Sequence, residues 1–212
     1  AEEIFQSFFS GGDPFVGFGF GDDDFVMRRT RARRPMGRAP VVRDSERIDL
    51  LPKRTVVKLC GLTNETLNGS VGQVDAFDSE RQRYTVRLSD GGGEVAVKPA
   101  NVQQVISEAR VEGTSHPDLN GSLAASAIFN STSGRYVVEG ITDKAIAIKP
   151  ENLVLPPGTR VTITGVSSRP ALNGQAGKIV GSDGTERYTV QLAQSGEQVR
   201  VKFGAVVSLH AL

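Results

Sequence analysis

Tryptophan is absent from this chain, cysteine occurs once and histidine twice, in 212 residues. Each shortage removes a class of chemistry. A single thiol, Cys60, cannot close an internal disulfide, which fits a reducing compartment without requiring one. Nor can it supply the four ligands of a structural zinc site. Two histidines, His116 and His210, leave little material for a proton relay. No apolar run approaches the ~18 residues of a spanning helix. Neither sign of charge dominates: 25 Lys and Arg against 24 Asp and Glu leave a net charge of +1. No global field therefore pulls the protein toward nucleic acid or a membrane. Hydrophobic residues, at 38%, are sparse for one large core, whereas 24 Gly and 10 Pro suit many turns and short elements. The length allows one to three small domains. The chain opens on "AEEIFQ" with no initiator Met and no signal-peptide pattern. That start reads as mid-stream in something longer. The compartment is left open: cytosol by default, or an organelle such as a plastid if the amino terminus is processed.

What is present is a repeat. "LNG" recurs at 67–69, 119–121 and 172–174. "RY" recurs at Arg83-Tyr84, Arg135-Tyr136 and Arg187-Tyr188, which places all three tyrosines 52 residues apart. Each copy closes on a Val/Ile alternation ending in Lys: "EVAVKPANV", "AIAIKPENL", "QVRVKFGAV". The units are placed at 54–106, 107–156 and 157–208. Within them apolar residues alternate with period two, as in half-buried strands, and no stretch has helical spacing. Asn-Gly pairs, "DGGG" (90–93) and "GSDG" (181–184) punctuate the strands. Four or five short strands in about 50 residues cannot form a sandwich but can curl into a small bent barrel.

The segment "LNGQAGKIV" resembles the KOW motif, and the whole pattern resembles SH3-like repeats of algal and other protist proteins. The resemblance covers units one to three and implies accessory modules. The expected fold is all-β: three tandem small SH3-like barrels preceded by an extended arm. Unit two departs from the pattern, since "LAAS" (123–126) replaces the "VGQV" and "AGKI" of its neighbours and loses their second glycine. The tripeptide His116-Pro117-Asp118 matches the loop by which J-domains touch their partner chaperone. Aligned on "LNG", however, it falls on "TNETLNG" and "SSRPALNG", between the first two strands of a unit. It is expected to be a turn.

The first 53 residues differ. Seven of the ten phenylalanines lie in residues 1–25, interleaved with five glycines. "EEIFQSFF" and "GGDPF" resemble the Gly/Phe-rich linker that follows the J-domain in DnaJ-type co-chaperones. The resemblance places a J-domain, if there is one, before residue 1. Residues 2–9 can form one short helix, with Glu2 and Glu3 at its positive end. Such a segment cannot bury its aromatics within itself, so either the chain's own barrels or, as expected here, a protein partner covers them. The expected partner contacts are Ile4, Phe5, Phe8, Phe9, Phe15, Phe18, Phe20 and Phe25. Beyond the acidic triplet 22–24 come Arg28, Arg29, Arg31, Arg33, Arg34 and Arg38. This cluster in the 26–53 linker is either solvated or an anchor on an acidic protein, an anionic membrane face or nucleic acid.

Catalysis is not expected. No phosphate loop appears, and "GFGFG" lacks the strand and helix of a dinucleotide fingerprint. Cys60 occupies a repeat position held elsewhere by Glu112 and Thr164. No catalytic, cofactor or metal residue is assigned. Charge argues against nucleic acid: the units carry six basic and six acidic, four and six, then six and three residues, or net 0, −2 and +3. Only unit three keeps the RNA reading open, through Arg160, Arg169, Lys178, Arg187, Arg200 and Lys202. The leading expectation is a non-catalytic structural subunit docking on a larger protein assembly. The alternatives are a DnaJ-like co-chaperone fragment whose barrels bind clients, and an RNA-binding KOW-like protein.

Overall fold

The period-two segments become fifteen short strands, and no α-helix occurs among the described residues. The computed structural model describes residues 47–211. The arm positions assigned to partner contact, from Ile4 to Arg38, and the short helix expected at 2–9 lie outside them.

In the first repeat the strands are β1 (Val56–Leu59), β2 (Val71–Asp78), β3 (Arg83–Leu88), β4 (Glu94–Val97) and β5 (Val102–Gln104). They form one antiparallel sheet in the order β4-β3-β2-β1-β5. The third repeat repeats this order as β14-β13-β12-β11-β15. Its strands are β11 (Arg160–Ile163), β12 (Ala176–Ser182), β13 (Arg187–Leu192), β14 (Gln198–Lys202) and β15 (Val206–Ser208). In both, the first and last strands pair, and the sheet stays open because its two edge strands do not meet. Register shifts by one residue at Val74/Ala76 in β2 and at Ile179/Gly181 in β12. Such a bulge bends the strand and lets one sheet wrap a core.

The second repeat is built differently. Its strands are β6 (Arg110–Val111), β7 (Ser126–Asn130), β8 (Arg135–Glu139), β9 (Ile146–Ile148) and β10 (Leu153–Val154). They split into a β10-β6 pair and a β7-β8-β9 sheet, and β7 pairs with β8 without a bulge. The difference begins where "LAAS" replaces the glycine-containing quartets. A Cβ on Gly72 would lie 2.5 Å from the Arg87 carbonyl oxygen and 2.7 Å from Val86 Cγ1. A Cβ on Gly177 would run into Val190 Cγ1. The two glycines thus permit a close crossing of β2 over β3 and of β12 over β13. Ala124 stands at that place in the second repeat, where β6 and its flank meet the 121–124 segment through backbone hydrogen bonds such as Val111 N–H to Ser122 and Ala124 N–H to Ala109, and through an isolated bridge, Arg110 to Leu123.

The His116-Pro117-Asp118 segment is a turn. Pro117–Leu119 form one turn of 3-10 helix between β6 and β7, with His116 exposed at its start. Corresponding turns occur at Glu65–Leu67 and Pro170–Leu172. The asparagines of "LNG" do not themselves supply the positive φ of these turns. Asn68, Asn120 and Asn173 keep φ of −68°, −68° and −65°, and only the following glycines take positive φ. Each Asn side chain instead braces its loop by accepting a backbone N–H and donating to the same residue's carbonyl. The partners are Leu62 (2.8 and 2.9 Å), Thr114 (2.9 and 3.1 Å) and Val166 (2.8 and 3.0 Å).

Two apolar cores result. One lies in the first repeat and includes Leu50, Leu51 and Leu209; the other is shared by the second and third repeats. The tail after β14 accordingly touches all three repeats.

Candidate functional site

The three tyrosines are core residues, at most 1% exposed, and each ring packs against a phenylalanine. Their hydroxyls hold together segments distant in sequence. Tyr84 Oη accepts the Leu51 N–H at 3.0 Å, and Tyr188 Oη accepts the Leu155 N–H at 2.8 Å. Tyr188 also donates to the Leu153 carbonyl at 3.0 Å. These are equivalent segments, since "LLP" (50–52) precedes β1 as "VLP" (154–156) precedes β11. Tyr136 breaks the series: its Oη accepts the Ser208 N–H, at 3.0 Å, from the end of the third repeat. The second and third repeats therefore exchange tails, each tyrosine holding the end of the other repeat. Arg160 tightens the same assembly. It is 6% exposed, and its Nε donates to the Leu50 carbonyl at 3.2 Å. It was counted above with the cations open to phosphate, but its head group is committed to the fold.

His210 completes the lock on the first repeat. Its Nε2 lies 2.8 Å from Tyr84 Oη. With that oxygen accepting from Leu51, a neutral imidazole whose Nε2 is unprotonated can take the phenol proton. Burial pushes the His210 pKa down to about 4, against a smaller upward pull from Asp49. Asp49 itself is held below the ordinary carboxylate range, first by its hydrogen bonds from Arg47. The sign of the pH effect follows. The unfolded chain binds a proton on His210 below about pH 6.5 while the folded chain does not until about pH 4. Stability is therefore complete above pH 6.5 and is lost as pH falls toward 4, by about 3 kcal/mol from this group. Urea unfolding of the protein and of His210→Phe across that range checks it. The variant is expected to lack this part of the acid slope, and an identical slope in both would refute the assignment.

Burial pushes the Cys60 thiol up, and its Sγ faces only the Ala100 carbonyl at 3.9 Å. Among the described residues no group of three or more His, Cys, Asp or Glu could hold a metal ion.

What the surface does offer is a groove between the loop before β12 and strand β14. In the third repeat it has a volume of about 320 Å³, with Leu172, Val166 and Ala205 along it. Arg169, Arg187, Arg200 and Lys202 line it, so four of the six cations counted in unit three converge there. Arg187 and Lys202 sit directly opposite each other in the β13–β14 register. Arg200 is tied to Asp183 at 2.9 Å and Arg169 to Glu197 at 3.7 Å, whereas no ion pair engages Arg187 or Lys202 among the described residues. Asp183 is held far below the ordinary range because its carboxylate accepts the N–H groups of Arg187, Glu186 and Thr185.

The second repeat has the corresponding groove, about 420 Å³, lined by His116, Arg135 and Lys149. Ala147 stands there in place of Arg200, and Lys149 is paired with Glu151 at 3.4 Å. The pairing of Tyr84 with Val97 and of Tyr136 with Ile148 likewise places Arg83 opposite Lys98 and Arg135 opposite Lys149. The "RY" and "V-K" motifs were legible; that they meet across two strands required the register.

Comparison with models of known protein families matches none of them, and no curated protein matches the sequence.

Proposed function

We propose that this protein is a non-catalytic structural subunit that docks on a larger protein assembly through its aromatic arm and the loops of its repeats. Each repeat is read as an SH3-like module. The order β4-β3-β2-β1-β5, its recurrence in the third repeat and the 3-10 turn before each last strand support that reading. The observation that carries the functional reading is how the polar core groups are used. All three tyrosines and the half-buried His210 are spent on joining one part of the chain to another. The recurring exposed features are loops and shallow grooves, as suits contact with another macromolecule rather than turnover of a small one.

Size-exclusion chromatography of a native lysate, comparing the tagged chain with a variant lacking residues 1–38, tests the proposal. The intact chain is expected to run with a large assembly and the truncated one as free protein. Both running free would contradict it.

A second reading, a DnaJ-like co-chaperone fragment, draws on the Gly/Phe-rich likeness of residues 1–25. An encoded upstream segment of four helices with its own His-Pro-Asp loop would favour it. The RNA reading is weakened by the burial of Arg160 and of every tyrosine, since base stacking needs exposed rings.

A further inference from the structure

Cations placed face to face on neighbouring strands repel, so a like-charged cross-strand pair lowers stability unless something anionic covers it. The arrangement occurs in all three repeats, at Arg83 and Lys98, Arg135 and Lys149, and Arg187 and Lys202. The pairs of the first and third repeats have no ion pair among the described residues, and in the third further cations join the pair. Arg187 and Lys202 are exposed, have no carboxylate partner among the described residues, and face a groove that adds Arg169 and Arg200. We infer that this groove binds an acidic, extended stretch of a partner polypeptide, with Arg187 and Lys202 receiving its carboxylates.

The chemistry of the groove selects among anions. An RNA strand would need stacking surfaces, and the aromatic side chains of this repeat, Tyr188 and Phe203, are 1% and 4% exposed. A lipid surface is flat, whereas this site is a cleft between a loop and a strand. A peptide suits both features: its carboxylates meet the arginine and lysine heads, and small apolar side chains lie along Leu172, Val166 and Ala205. Arginine favours this ligand further, because its planar fork takes a carboxylate through two hydrogen bonds. The groove of the second repeat is a poorer version. It has Ala147 where the third has Arg200, and its lysine is already neutralised by Glu151.

This inference rests on the docking reading above and names the chemistry of one contact. Its test is fluorescence anisotropy with the full chain at physiological ionic strength, where exposed charges act only over short range. The probe is a labelled peptide of about twelve residues alternating Glu with Val or Ala; a single-stranded RNA of similar length is run beside it. The double variant Arg187→Glu/Lys202→Glu is compared with Arg83→Glu/Lys98→Glu, which makes the same change of net charge at the same position of the first repeat. Arg187, Lys202 and Lys98 are exposed and Arg83 is half-buried, and the arginine-rich arm is common to both variants. The groove variant is expected to bind the peptide about tenfold more weakly, with the first-repeat variant close to the parent. Equal losses in both variants, no binding by the parent, or tighter RNA binding abolished by the groove variant would each overturn the assignment. The groove can fail here while the chain still runs with its assembly, and the assembly test can fail while the peptide binds, so the two proposals fall separately.

Discussion

Gly72→Ala is expected to destabilise the protein by about 3 kcal/mol, at the upper end of the usual overpacking cost. The magnitude follows from what the new methyl meets. The nearest atom, at 2.5 Å, is the Arg87 carbonyl oxygen, a backbone atom held in the β2–β3 ladder that cannot move without breaking the pairing. Val86, the second obstacle, is fully buried and has nowhere to turn. Gly177→Ala meets chiefly the Val190 side chain, with the Gln191 carbonyl oxygen at 3.0 Å, so a somewhat smaller loss is expected there. Ala124 is the internal comparison. It is 2% exposed in a repeat whose β7–β8 pairing has no bulge, and there the glycine, Gly140 with φ +83°, stands instead opposite Ala125. Ala124→Gly should therefore give no gain of the size lost at Gly72. Urea unfolding at constant slope measures all three changes. A Gly72→Ala protein as stable as the parent would show that the strands do not cross this closely.

The sequence exposed the local half of this architecture and hid the long-range half. Period-two alternation located the strands, because a half-buried sheet face imposes that spacing on neighbouring residues. Alignment on "LNG" placed His116 in a turn. The glycine of "VGQV" was visible as a motif, but its cause was not. The cause is an approach between strands fourteen or more residues apart, seen in the pairing of Gly72 with Leu88. Arg160 looked like any other cation of its repeat, because its partner, the Leu50 carbonyl, precedes the repeats altogether. The groove was half legible: its cations were counted, but only the register showed Arg187 facing Lys202. Nothing in the local pattern could indicate that Ser208 would reach Tyr136, since Tyr84 and Tyr188 both take the segment that leads into their own repeat.

That exchange carries the second large effect. Tyr136→Ala is expected to cost about 4 kcal/mol, as removal of a fully buried aromatic does. It deletes the ring packed edge-on against Phe129 at 5.1 Å and strands the Ser208 N–H, which lies in a residue only 2% exposed. Tyr136→Phe keeps the ring and loses only the acceptor, so a penalty of about 1–2 kcal/mol is expected for the unpaired amide. Because β15 also closes the third repeat against β11, damage in the second repeat should be felt in the third.

Amide hydrogen exchange at Leu51, Leu155 and Ser208 tests most directly whether the repeats form one interlocked body. Each of these amides donates to the tyrosine of a different repeat. All three are predicted to exchange through a common global opening with one free energy, and Tyr136→Phe to free Ser208 first. Exchange of Ser208 at the rate of an open loop in the parent protein, with Leu155 still protected, would contradict the exchanged tails and the account built on them.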